Sequence, residues 1–178
     1  MDGDSKWKYI DIPYAGDNKY RIYEDTSIWS EKSNIYVKES LNGYNYRSIT
    51  LWTEHGQKRF LLHRLYAKAF LPKTEADIKY KRDLVHFKDF DNTNLSLDNL
   101  EWVNSLELHM LVEIKNSSKE YKKISDYVEF ICKLLERNYE IEDIIKVLRL
   151  KNTIWARNQI KRIKARKIYT VESAKFRF

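Results

Sequence analysis

The stretch Val85-His86-Phe87-Lys88-Asp89-Phe90-Asp91-Asn92-Thr93-Asn94 holds the densest group of side chains able to do acid–base or metal chemistry, and Asn99 stands five residues further on. An imidazole exchanges a proton near neutral pH, and carboxylate and carboxamide oxygens suit a hard divalent cation. A loop full of oxygen ligands beside a short helix could hold a hard metal ion. The same composition also makes a structural loop. Asp and Asn side chains bond to their own local backbone, so Asp89 to Asn94 is expected as a turn or loop. Ser96 to Trp102 then reads as a helical turn docked by Leu97, Leu100 and Trp102.

Val85, Asp89, Asn94 and Asn99-Leu100-Glu101-Trp102-Val103 fall without a gap on a known pattern. Upstream, His63-Arg64-Leu65-Tyr66-Ala67-Lys68-Ala69-Phe70-Leu71-Pro72 matches the element that precedes it. Over roughly residues 7 to 110 the chain resembles the HNH homing endonucleases of phages and group I introns. The resemblance implies an α+β fold: a small N-terminal β module, a ββα-metal core and a C-terminal helix-turn-helix. It also implies double-stranded DNA as partner, a phage or another mobile element as source, and, in an intact member, metal-dependent strand cleavage.

The departures from that family fall on its chemistry. In the gap-free register Phe87 stands at the catalytic histidine, and His86 at the preceding metal-ligand position. Leu108, after Glu107, stands at the other metal-side residue, while Asn99 is kept at the middle asparagine. A phenyl ring accepts no proton and a leucine binds no cation. The expectation is therefore a decayed nuclease site with no catalytic residue and no cofactor. The alternative spells the motif with His86, Asn99 and His109, each interval one residue longer than the family's. It needs a bulge, because a one-residue slip turns a strand's side chains to its other face. Its metal would be Mg2+ or Mn2+ on His86, Asp89 and Asp91.

The elements that must position these residues are readable from pattern. The chain has 178 residues, 43% of them hydrophobic, with thirteen Tyr, five Trp, four Gly and two Pro. That supports a folded core and argues against disorder. The single Cys132 excludes an internal disulfide and a cysteine-based zinc site, and its spacing puts it on an apolar helix face. No apolar run is long enough to span a bilayer and the N-terminus is polar and acidic, so the expectation is a cytoplasmic, nucleoid-associated protein without membrane contact.

Short strands are expected over Trp7 to Tyr14, Tyr20 to Tyr23, Ile28 to Ser30 and Ile35 to Val37, with a turn at Gly16-Asp17-Asn18. Asn42-Gly43 signals a hairpin, since both residues tolerate positive φ. Tyr44 to Trp52 follows as a strand and Lys58 to Leu62 as its return. Leu62, Leu65, Tyr66 and Ala69 carry a helical period ended by Pro72. In the family the His63-Arg64 pair lies on a supporting helix. Thr74 to Asp83 reads as a charged loop or frayed turn. Ser105 to Lys115 reads as a helix, and three regions result: 1–115, a linker at 116–123, and a helical region at 124–178.

In the last region Val128, Ile131, Cys132 and Leu135 form one stripe, capped by Ser125 or Asp126, and Ile141, Ile144, Ile145 and Leu148 form a second. After a polar break at Arg149 to Asn152, Asn152 or Thr153 can cap a third helix that buries Ala156, Ile160 and Ile163. Helix, tight break and basic last helix is the helix-turn-helix arrangement. Net charge is +7, yet residues 149–178 hold ten basic residues against one acid, a net +9 that leaves −2 for the rest. Arg157, Asn158, Gln159 and Arg162 are the candidates for base edges. Lys161, Lys164 and Lys167 are the candidates for phosphates, and Arg166 is a further DNA-binding candidate because Arg166-Lys167-Ile168-Tyr169 resembles the segment that ends the family's helix-turn-helix.

The expected function is sequence-specific binding of double-stranded DNA by a repressor built on a homing-endonuclease scaffold. A working nicking endonuclease and a phage protein-interaction module that inhibits a host factor are the rivals. Whether a homodimer forms is left open, because no heptad or apolar seam marks one.

Overall fold

The computed structural model describes residues 6–117 and 123–178. They form two compact units, Met1–Val103 and Asn104–Phe178.

In the first unit β1 (Trp7–Tyr9), β2 (Tyr20–Tyr23), β3 (Ile28–Ser30) and β4 (Ile35–Tyr36) make a four-stranded antiparallel meander in chain order. A second sheet joins β5 (Glu39–Leu41), β6 (Arg47–Thr53) and β7 (Gly56–Leu61), also antiparallel. The first strand stops at Tyr9, five residues short of the expected Tyr14. The β5–β6 hairpin turns at Asn42, whose side-chain oxygen accepts from the amides of Tyr44 and Tyr46. The positive φ falls on Asn45, at 59°, and not on Asn42 or Gly43. The turn therefore closes on an Asx acceptor and delays the strand to Arg47, later than the expected Tyr44.

Helix α1 (Leu62–Phe70) follows β7 directly. Ile22, Ile28, Ile49, Leu51, Leu62, Leu65 and Tyr66 share one apolar cluster, to which Phe87, Leu100 and Trp102 also belong. Three aromatic side chains pin the layers by hydrogen bonds. The Tyr20 hydroxyl donates to Trp52 O at 3.2 Å and accepts from Trp52 N at 2.9 Å, tying the two sheets. The Tyr66 hydroxyl donates to Glu24 O at 2.8 Å, and Trp102 Nε1 donates to Leu71 O at 3.0 Å.

Two segments depart from the sequence expectation. Thr74 to Asp83 contains a short helix, α2 (Glu75–Lys79), where a loop or frayed turn was expected. Thr74 and Asp77 cap it reciprocally: Asp77 N donates to Thr74 Oγ1 and Thr74 N to Asp77 Oδ2. Arg82 then pairs with Asp77 at 3.0 Å, both side chains nearly buried. Burial works to raise the Asp77 pKa, but the Thr74 donors and Arg82 outweigh it and hold the carboxyl below its ordinary value.

The second departure is the expected helical turn over Ser96 to Trp102. Only Leu97–Asn99 is a 3-10 turn, and Leu100–Val103 is strand β9, paired antiparallel with β8 (Leu84–Phe87). Leu100 and Trp102 share one face of β9, the two-residue spacing of a strand.

The second unit begins with α3 (Ser105–Asn116), capped reciprocally by Asn104 and Glu107. Of the expected linker at 116–123, residues 118–122 lie outside the described residues. A 3-10 turn at Ile124–Tyr127 leads into α4 (Val128–Glu136), and α5 (Ile141–Val147), α6 (Ile154–Lys164) and α7 (Thr170–Ser173) follow. Ile131, Cys132, Leu134, Ile144, Ile160 and Ile163 are wholly buried. Burial pushes the Cys132 thiol up to about 11, which leaves it an inert apolar filler.

Candidate functional site

The β8–β9 ladder fixes where each residue of the histidine stretch points. Leu84↔Val103, Val85↔Trp102, His86↔Glu101 and Phe87↔Leu100 pair in unbroken register. Without a bulge His86 and Phe87 take opposite faces. Phe87 joins Leu100, Trp102 and Val85 on the core side and is 4% exposed. Its ring lies 4.9 Å from His63 and 6.1 Å from Tyr46, centroid to centroid. His63, from α1, is itself buried, and its Nδ1 has no hydrogen-bond partner. Burial, with Arg64 adding repulsion, lowers its pKa to about 4, so the ring is neutral at physiological pH.

His86 faces the other side. Its Nδ1 lies 2.8 Å from Glu101 Oε1, its direct cross-strand neighbour, and the Phe90 ring meets it edge-on at 4.7 Å. A carboxylate at Nδ1 favours the tautomer that carries its proton there and leaves the lone pair on Nε2. Nε2 is buried with no hydrogen-bond partner.

The acidic loop is consumed by its own closure. Asp89 Oδ1 accepts from Asp91 N at 2.8 Å and Asn99 Nδ2 at 2.9 Å, and its Oδ2 accepts from Asn94 Nδ2 at 2.7 Å. Those bonds, led by the Asp91 amide, lower the Asp89 pKa. Asp91 Oδ1 takes the amide and hydroxyl of Thr93. Asn99, 9% exposed, accepts from Asp89 N and donates to Asn94 O. Asn99 thus holds both ends of the loop, and Leu95 plugs it into the core.

Asp89 accepts three bonds from the loop and Asp91 accepts two, both on Oδ1, so loop closure occupies most of the Asp89 acceptor sites and half of the Asp91 carboxylate. Among the described residues no three His, Cys, Asp or Glu side chains gather around a common point. On α3, Leu108 is half-buried and His109 is exposed, 3.5 Å from Glu113. Glu107 is buried, serving the helix cap and accepting from the Tyr139 hydroxyl at 3.0 Å.

The basic candidates all lie in the second unit. Thr153 caps α6 by accepting from Ala156 N at 3.1 Å, and Ala156, Ile160 and Ile163 form its buried stripe. Asn158, Lys161, Arg162 and Lys164 are exposed and Gln159 is half-exposed. Arg157 is partly covered and its Nε lies 3.0 Å from Glu142 of α5, so its guanidinium is engaged within the fold. Arg166 donates to Phe176 O at 2.8 Å, and Lys167 is exposed. Two residues that the sequence reading passed over stand out here. Ile154 and Trp155, on the first turn of α6, are 76% and 61% exposed.

Comparison with known proteins gives the same family as the motif. Over 124 residues, 69% of this chain, it is 27% identical to an uncharacterized HNH endonuclease of Acanthamoeba polyphaga mimivirus. It is 32% identical over 84 residues, 46% of this chain, to the H-N-H endonuclease F-TflII of Escherichia phage T5. The chain is similar to HNH endonucleases over these stretches. Its matches span 36% of the mimivirus protein and 41% of the phage protein. No family model matches it. A solved structure of the HNH homing endonuclease I-HmuI aligns over 92% of both chains at a TM-score of 0.48 and 20% identity. Within this HNH-type chain the motif's Asn99 is the residue that organises the loop, and the position after His86 is a core residue.

Proposed function

We propose that this chain binds double-stranded DNA sequence-specifically and does not cut it, acting as a repressor that occupies its site. The observation that carries the reading is Phe87. At the position of the family's proton acceptor the chain has a buried phenyl ring packed between His63 and Tyr46. Neither neighbour is placed as a ready replacement: Tyr46 packs against the core, and His63 is 3% exposed with its pKa lowered by burial to about 4. Phosphodiester cleavage needs a base of suitable pKa and a Lewis acid on the phosphate oxygens. Affinity needs neither, because it comes from phosphate and base contacts.

The binding surface in this reading is α6, entered after α5 as the second helix of a helix-turn-helix. Asn158, Gln159 and Arg162 offer base-reading groups, and Lys161, Lys164 and Lys167 offer phosphate contacts. Similarity to two proteins named HNH endonucleases, together with the net +9 of residues 149–178, supports duplex DNA as the partner.

A second reading keeps nuclease activity, and His86 favours it. A carboxylate-oriented imidazole with an unpaired Nε2 is the arrangement of a general base. Selection of duplexes from a random pool, followed by incubation of the selected duplex with Mg2+ or Mn2+, separates the two. The proposal expects an enriched sequence that survives intact. Strand nicking that disappears in His86→Ala establishes the second reading instead.

A further inference from the structure

We infer that Ile154 and Trp155 read thymine methyl groups in the major groove, an inference that rests on the duplex-binding reading of α6. Both are large apolar side chains held out in solvent, at 76% and 61% exposure, on a helix whose remaining apolar residues are buried. Their place on the wheel is specific. Ile154, Asn158 and Lys161 fall at i, i+4 and i+7, directly away from the Ala156, Ile160 and Ile163 stripe. Trp155, Gln159 and Arg162 flank them at the same spacing.

The outward face of α6 therefore starts apolar and continues with an amide and cations. The N-terminal residues of a recognition helix are those that meet base edges. At a base edge the one apolar feature is the C5 methyl of thymine. Charge argues for the same occupant. Trp155 and Gln159 line a cleft of about 660 Å³ together with Lys123, Arg149 and Lys151, cations placed to meet a phosphate backbone. A protein partner would gain from the apolar pair but would have to match the net +9 of residues 149–178. Arg157, engaged with Glu142, leaves the first turn's outward positions to these two residues.

The test replaces each thymine of the selected duplex in turn with deoxyuridine, which removes the methyl and nothing else. One or two positions should then bind the full-length protein about fourfold more weakly, the equivalent of one buried methyl. Ile154→Ala or Trp155→Ala should bind thymine and uracil equally at those positions. Both side chains are exposed, so neither substitution threatens the fold. Equal binding of thymine and uracil at every position, with the duplex still selected, overturns this inference and leaves the binding reading intact. A thymine preference unchanged in both variants overturns it as well. Failure to enrich any duplex removes the underlying reading, and this inference with it.

Discussion

Phe87 and His63 make a testable pair, because one titrates and the other does not. His63 is held near pKa 4 in the fold against 6.5 in a free imidazole. A lowered histidine pKa means that the unfolded chain binds the extra proton first. Above about pH 6.5 both states are neutral and His63 leaves stability unchanged. As pH falls from 6.5 towards 4, stability drops, reaching a loss of about 3 kcal/mol below pH 4. Denaturant unfolding of the wild type between pH 7 and pH 4 should follow that slope, and His63→Leu should flatten it. Asp89 and Asp77, whose pKa values are lowered, act in a separate window. Their contribution is present above the ordinary carboxylate range and is lost as pH falls below it. An unchanged slope in His63→Leu would mean that the ring reaches solvent.

Elements come next, and here the anchors decide. Trp102 is 8% exposed, belongs to the first unit's cluster and donates to Leu71 O. Trp102→Ala should cost about 3–5 kcal/mol, read as an earlier melting transition. Thr74→Ala should cost about 1 kcal/mol by removing the cap of α2. That helix was legible: Thr74-x-x-Asp77 is the capping signature, obscured by the charge of the segment around it. Strand β9 was legible only in part. Leu97, Leu100 and Trp102 fit a helical turn or a strand equally until their pairing with β8 is known. Helix α6 was legible in its extent, since cap, buried stripe and charged face all agree over eleven residues. Arg157 was not, because its ion pair with Glu142 joins residues that sequence spacing does not connect. Nor was the exposure of Ile154 and Trp155, which look like core residues until the stripe is located. On α6, Arg162→Ala should weaken the selected sequence by about 1–3 kcal/mol while Lys164→Ala weakens all duplexes alike. Gel shifts on selected and random DNA check both. The Lys164 variant should also reduce the salt slope of binding by about one.

For the whole chain, charge and chemistry separate. The positive charge is concentrated in residues 149–178, and the family's motif lies in the first unit and the start of the second. On the proposed reading, losing the proton acceptor at Phe87 leaves the basic residues of 149–178 in place, which is how affinity would outlast cleavage. Part of this was legible: the motif, its Phe87 substitution and the charge asymmetry all stand in the sequence. The burial of Phe87 beside His63 and the His86–Glu101 pair required the fold, because both depend on which face of β8 each residue takes. The most direct measurement is an end-labelled selected duplex held with excess protein and Mg2+ or Mn2+, sampled over time on a denaturing gel. The account predicts full retention in a native gel and unbroken strands in the denaturing one. A discrete nick that needs the metal and is lost in His86→Ala would contradict it.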